Sequence, residues 1–327
     1  MPPHTAPPLN GTSYRLFDPC LRYSDDRGLA GGLSVLAAFF LVIGLSYLRY
    51  MPKSKRPAVA WVVGTVFTLG GFATHYAAGV YAPEVFTNPL LAVIVVFNAA
   101  FAPCINGEKI TQDLVMYTLL VAAGMAVATS TASVCAPNEP EDFVLAMCVI
   151  YGLMHGGLTL GAVFMRAQAF LAKQHKGPEL ALYRKRRPLN RVISALLSAL
   201  FISLATLLSR LMVVLPAAGH AFHLVGIVGC SLYGFIVLNW ALLEFEALTI
   251  VPLWVGFNAV LGIAQGMVIF QEATYMGPVQ ILVIGLAMAA IVVGCHGLAV
   301  ELEPEPEREY DSVDSLDAEM QRMSVTQ

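Results

Sequence analysis

The sequence predicts an all-α membrane protein of about nine transmembrane helices, built as two halves running in opposite directions. Three observations predict it. Of 327 residues, 57% are hydrophobic and only 13% charged, and the mean hydropathy is +0.69. A soluble domain carries about a quarter charged residues. The apolar residues gather into nine runs of roughly membrane thickness, about 20 residues each. Two of these runs share an outline: TNPLLAVIVVFNAAFAPCINGE, Thr87 to Glu108, and TIVPLWVGFNAVLGIAQGMVIFQE, Thr249 to Glu272. Each holds a Pro-Leu pair near its start, runs apolar and closes on a glutamate.

The spans in order are 28–50, 58–81, 87–107, 113–133, 142–165, 190–213, 221–243, 250–271 and 278–300. In lipid a spanning segment must satisfy its own backbone hydrogen bonds, so each is read as a helix. Residues 1–27 are polar and Pro-rich. They do not resemble a cleavable signal, so the first span is expected to insert as an uncleaved anchor. The loop after it holds Arg49, Lys53, Lys55 and Arg56. The loop after the fifth span holds Arg166, Lys173, Lys176, Arg184, Lys185, Arg186, Arg187 and Arg191 against one acid, Glu179. Both loops are expected in the cytosol by the positive-inside bias, the second also being open to an anionic-lipid reading. The acidic loop VCAPNEPED around Pro137 falls outside. The N-terminus is then outside and the C-terminus cytosolic.

The expected organisation is an extracytosolic segment, 1–27, a transmembrane domain, 28–302, and an acidic tail, 303–327. The domain divides into a first half, 28–133, and a second, 142–300. The tail is poor in large apolar residues and is expected to be disordered. Its Tyr310-Asp311-Ser312-Val313 fits a Tyr-x-x-apolar sorting motif. Asn10-Gly11-Thr12 is a glycosylation sequon on the outer side. Cys20 and Cys135 both fall outside, as a pair or as two free thiols.

Aligned on Pro89 and Pro252, Glu108 lies 19 residues after the first proline and Glu272 lies 20 after the second (108 − 89; 272 − 252). The first of these spans enters from outside and the second from the cytosol. An inverted-topology repeat of this kind is a mark of secondary transporters, with the substrate site near the midplane between the halves.

The ordered motifs Ala82-Pro83, Asn88-Pro89-Leu90 and Gly107-Glu108, followed by Leu238-Asn239-x-Ala241-Leu242, Val251-Pro252 and Gln271-Glu272, resemble the NIPA-type magnesium transporters. These belong to the drug/metabolite transporter superfamily. Ser209-Arg210 sits where that family carries a basic residue late in a helix. The resemblance covers about Gly28 to Val300. It implies nine helices, since the family's first half is one helix short of the superfamily's ten. It also implies facilitated movement of magnesium or another divalent cation by alternating access. Two positions depart from the family: its intramembrane Glu falls on Phe72 and its Asn on His75.

Magnesium takes hard oxygen ligands and sheds water reluctantly. Polar side chains within spans are expected to face the bundle, because a charge facing lipid costs about 3 kcal/mol. Asn98, Asn258 and Gln265 offer amide oxygens to a partly hydrated cation, or hydrogen bonds between helices. Asn239 has motif support. His75 suits substrate contact, proton coupling or a softer metal, or plain helix packing. Glu108 and Glu272 act near the two mouths, or cap helix ends and pair with a neighbour such as Lys109. Glu244 and Glu246 concentrate cations or end a span. His155 and His296 are read as packing residues. Histidine and cysteine spacing gives no structural metal site, and no cofactor is expected. The absence of a P-loop, an HExxH motif or a nucleophile elbow argues against an enzyme, and nothing points to nucleic acid.

The expected function is therefore a divalent-cation transporter in a plasma or endosomal membrane. The alternatives are a carrier of a small polar organic metabolite, which Phe72 favours, and a transport-dead membrane adaptor. The partners open to the chain are the cation, the bilayer, a second copy in a homodimer, and a sorting adaptor at the tail.

Overall fold

The computed structural model describes residues 19–82, 84–132, 145–174, 186–214, 220–270 and 272–300. All regular structure among them is helical. In chain order the helices are α1 (Pro19–Tyr50), α2 (Pro57–Tyr81), α3 (Glu84–Leu90), α4 (Ala92–Asn106), α5 (Gln112–Thr131), α6 (Leu145–Gln174), α7 (Arg187–Val214), α8 (His220–Glu244), α9 (Ala247–Val268) and α10 (Pro278–Val300). Eight stretches of the described residues are long and apolar enough to cross a membrane, the chain from Val85 to Asn106 counting as one. The chain is an integral, multi-pass membrane protein. Asn10, Cys135, Tyr310 and Val313 lie outside the described residues, as does the side chain of Cys20.

Two boundaries differ from expectation for local reasons. Helix α1 starts at Pro19 instead of residue 28. A proline at the first helical position loses nothing, because its N–H would have no partner there. The expected helix 87–107 is broken at Leu91 into α3 and α4. Pro89 lies inside α3 and removes one helical donor. The chain passes the break on tighter bonds, Leu91 N–H to the Asn88 carbonyl and Ile94 N–H to the Leu91 carbonyl, 3.2 and 2.8 Å. By contrast α9 runs unbroken through Pro252. Gly107 then ends α4 in the left-handed conformation, φ 69°, its N–H donating to the Pro103 carbonyl. That turn, which favours glycine, reverses the chain and presents Glu108.

Small residues set the helix pairs. In α1 and α2, Leu48 meets Gly64, Gly44 meets Thr68, and Leu41 meets Gly71, so the two are antiparallel and closely packed. Helices α7 and α8 pair likewise: Leu208 meets Gly226, Ile202 meets Gly234, and Ser198 Oγ donates to the Gly234 carbonyl at 2.9 Å. Helices α5 and α10 pair through Gly124 against Ile291, Val121 against Gly294, and Tyr117 against Gly297. Within lipid, dispersion at such close approaches replaces the hydrophobic drive. Helices α7 and α9 are the most enclosed, with 72% and 78% of their apolar windows buried against 28–53% for the other spans. The large side chains at the centre are Trp254, Leu238, Leu242, Phe245 and Leu253.

A Cβ at Gly124 would lie 2.8 Å from the Ala287 carbonyl, whereas one at Gly157 meets nothing within 4 Å. Gly124→Leu is expected to destabilise the protein by about 1–3 kcal/mol through overpacking. Gly157→Leu is expected to be near neutral. Thermal unfolding of both variants in detergent checks this; equal effects would contradict the packing described.

Candidate functional site

Helix α9 begins with backbone N–H groups that have no partner within the helix. Its N-cap residue, Glu246, makes no side-chain cap. The cap comes instead from Glu108, just past the end of α4. Glu108 Oε1 accepts from Ala247 N at 2.9 Å and Oε2 from Leu248 N at 2.8 Å. A carboxylate straddling a helix N-terminus makes charge-assisted bonds and meets the positive end of the helix dipole. Arg49, at the end of α1, lies 3.4 Å from Glu108 Oε1. Its Nη1 also donates to the carbonyls of Leu242 and Leu243 in the last turn of α8, 2.8 and 3.3 Å. Lys53 Nζ donates to the Asn106 carbonyl at 2.7 Å. One ion pair thus ties together the ends of α1, α4 and α8 and the start of α9.

A second clasp stands at the other end of α9. Glu272 Oε2 accepts from Val85 N, in the first turn of α3, at 3.2 Å. Its Oε1 lies 3.2 Å from Arg210 Nη2, near the end of α7. Arg210 Nη1 donates to the Ala82 carbonyl, just past α2, at 3.4 Å, and its guanidinium lies 4.5 Å over the Phe270 ring. Glu272 is seated on Gly266, where a Cβ would fall 2.6 Å from Oε2.

The two clasps share one recipe. A glutamate caps the start of a distant helix, and an arginine joins it to the end of a third. In both, a proline follows four residues after the capped N–H: Pro89 after Val85, Pro252 after Leu248. Lacking an N–H, each proline leaves the carbonyl of that same residue without its usual helical donor. The two carboxylates lie against Leu248 and Gly266, 18 residues apart along α9 (266 − 248), a rise of about 27 Å at about 1.5 Å per residue. That is close to the ~30 Å hydrocarbon thickness of a bilayer. The clasps therefore stand a membrane's width apart. They differ in burial. Glu272 is fully buried and Arg210 is 5% exposed, whereas Arg49 is 21% exposed.

Between the clasps the packing is mixed. Phe72 meets Trp254 edge to face at 6.0 Å and stacks on Tyr76 at 6.5 Å. The Tyr76 and Ser231 hydroxyls share a hydrogen bond of 2.8 Å between α2 and α8. His75 Nε2 and Asn88 Oδ1 are 3.1 Å apart and buried, and Asn88 lies against Gly262, where no Cβ would fit.

The expected site residues take separate places. Asn98 Nδ2 donates to the Ala247 carbonyl at 3.1 Å, directly below the Glu108 clasp. Asn258 Nδ2 donates to the Trp254 carbonyl of its own helix. Gln265 Nε2 donates to Tyr151 Oη and the Ser203 carbonyl, joining α9 to α6 and α7. Asn239 is half-buried, and its buried Oδ1 accepts no hydrogen bond. No hydrogen bond links His75, Asn98, Asn239 and Asn258 to one another. Among the described residues no group of three His, Cys, Asp or Glu side chains is placed to hold a metal ion. Glu244 pairs with Arg166 at 2.6 Å, His155 approaches Ser203 Oγ at 3.5 Å, and His296 is exposed. Glu108 is matched with Arg49, not with its neighbour Lys109, which is exposed.

Arg49 and Asn88 are the participants that sequence reasoning misses. Arg49 reads there as a topology charge, and Asn88 as part of a motif. The signal for Arg49 is its spacing. Arg49 and Arg210 are 161 residues apart (210 − 49), and Glu108 and Glu272 are 164 apart (272 − 108). Comparison with known proteins adds no relative to this geometry: no family model, curated protein or solved structure matches the chain.

Removing one member of a buried ion pair strands the other, at about 3–5 kcal/mol. Glu272→Gln is therefore expected to destabilise the protein by that amount. Glu108→Gln is expected to cost less, about 1–3 kcal/mol, because Arg49 keeps two carbonyl acceptors and partial solvent access. Denaturation of both variants in mixed micelles measures the difference; equal losses would contradict it.

Proposed function

We propose that the protein is a secondary transporter working by alternating access, with the Arg49–Glu108 and Arg210–Glu272 clasps as its two gates. In this reading the chain has nine spans in an inverted repeat of the drug/metabolite transporter type. The N-terminus is outside and the C-terminus cytosolic, in a plasma or endosomal membrane. The observation that carries the reading is the matched pair of clasps a membrane's width apart. A carrier needs one closure on each side, and here each closure is built from corresponding parts in exchanged positions. With both clasps made, the conformation is occluded.

The clasps suit switching. A buried ion pair is nearly balanced between Coulomb attraction and lost hydration. When a clasp opens, water can solvate the arginine, the carboxylate and the released N–H groups. The opening step then has a small net free energy and needs no ATP-binding domain. An opened gate also frees a glutamate at the mouth.

The cargo proposed is magnesium or another divalent cation, as the resemblance to NIPA-type transporters implies. Glu108 and Glu272 would meet the ion at the mouths, competing with their arginines for it. Asn98, Asn239, Asn258, Gln265 and His75 would offer donors along the way. A second reading, a small polar organic solute, is favoured by one observation. Where the family has its intramembrane carboxylate, this chain has Phe72, packed with Tyr76 and Trp254. An aromatic cluster can stack on an organic ring and cannot ligate magnesium.

The test is flux into proteoliposomes with an entrapped magnesium indicator. The cation reading expects wild-type flux and a loss of about tenfold or more in Glu108→Gln, the weight of about 1.4 kcal/mol. It expects Phe72→Glu to keep or raise the flux. No flux of magnesium, zinc or manganese through folded protein would overturn it in favour of the organic solute.

A further inference from the structure

Outside the clasps, one feature combines a cavity with a charge that is only partly used. A groove of about 770 Å³ runs between α6, α7 and α8, lined by apolar side chains that include Val163, Phe170, Leu197, Tyr233 and Trp240. At one end stand Arg166 and Glu244, 2.6 Å apart, their side chains 18% and 13% exposed. Arg166 donates through Nη2. Among the described residues its other N–H groups meet no acceptor, although a guanidinium has five donors. Such a side chain beside an apolar trough has donors to spare for a ligand that is anionic at one end and apolar at the other.

The surroundings choose the ligand. Two of its walls, α7 and α8, are long and apolar enough to cross a membrane, so acyl chains are the apolar ligands at hand. Trp240, 59% exposed and one turn from the end of α8, is the kind of side chain that favours the headgroup level. Arg186 and Arg187, exposed at the start of α7, lie at the end of the bundle where α6 finishes. They carry positive charge to the same end as Arg166. We propose that this groove is a binding site for one anionic phospholipid, its acyl chain along Phe170, Leu197 and Trp240 and its net-negative headgroup on the spare donors of Arg166. The site adjoins the Glu108 clasp: Leu243, which lines the groove, offers its carbonyl to Arg49. A lipid bound here touches the turn of α8 on which that clasp is anchored. The proposal stands whether or not the chain transports a cation.

The experiment is native mass spectrometry of the full chain, released from a neutral detergent in the presence of equal amounts of phosphatidylserine and phosphatidylcholine with the same acyl chains. The expected result is one retained lipid, with phosphatidylserine favoured by about fivefold, the weight of a single basic side chain at a membrane surface. Arg166→Gln combined with Glu244→Gln removes both charges of this pair, and should bring the ratio close to one. Ala167→Trp fills the groove from an exposed position and should lower retention of both lipids. Equal retention by the unaltered chain would overturn the proposal. So would a preference that survives the double substitution, which would assign it to the exposed basic residues, or a retention that Ala167→Trp leaves unchanged.

Discussion

The structure depends on how the first N–H groups of α9 are satisfied. A helix that starts buried inside a protein, as at Ala247 and Leu248, has no water to complete its first turn, and each orphaned group costs about 1–3 kcal/mol. Glu108 meets two of those groups at 2.9 and 2.8 Å. Once that cap is made, α9 can occupy the centre of the bundle, and its buried flank receives α3, α4, α7 and α10. The carboxylate brings a charge with it, and Arg49 answers that charge. Arg49 in turn uses its remaining donors on the last carbonyls of α8, which are the groups most in need of a cation. A single glutamate thus organises four helix ends.

The opposite clasp repeats the solution in a drier setting. Arg210 and Glu272 have lost nearly all contact with solvent, and the Phe270 ring covers the guanidinium. Glycine makes this possible at Gly266, because any side chain there would displace the carboxylate. Unequal burial makes the two closures unequal. The Glu108 clasp opens onto partial hydration and is weakened by salt. The Glu272 clasp must be taken apart within the protein. If the clasps are gates, the carrier leans toward opening at the Glu108 end.

Much of the fold is legible in the sequence because membrane helices are set by length and hydropathy. Helix α10 begins and ends where the apolar run 278–300 does. The break at Leu91 is less legible. A proline in a membrane span kinks in one context and is absorbed in another, and Pro89 and Pro252 show both outcomes in one chain. The site is legible in its parts and not in its pairing. The repeated closing glutamate marks Glu108 and Glu272. Nothing local to Arg49 separates an ion-pair partner from a topology signal, because both use a basic residue at a span's end. The sequence leaves the amides open to a cation or to hydrogen bonds between helices, because a helical position specifies only a face. Asn258 turned to its own backbone, and Gln265 reached α6 and α7. Asn88 and His75 pair because Gly262 leaves room for them, a fact of three-dimensional packing with no signature in one segment.

If the two clasps are gates, they open in alternation. Distances between spin labels in the full chain, reconstituted in liposomes, test it most directly. One pair of labels would replace Ile110 and Leu243, exposed residues beside the Glu108 clasp. The other would replace Tyr81 and Val279, exposed residues at the Glu272 end. Alternation predicts two populations in each pair, with the long distance at one end accompanied by the short distance at the other as cargo or salt is varied. A single short distance at both ends under all conditions would contradict the account and make the clasps fixed structural ties.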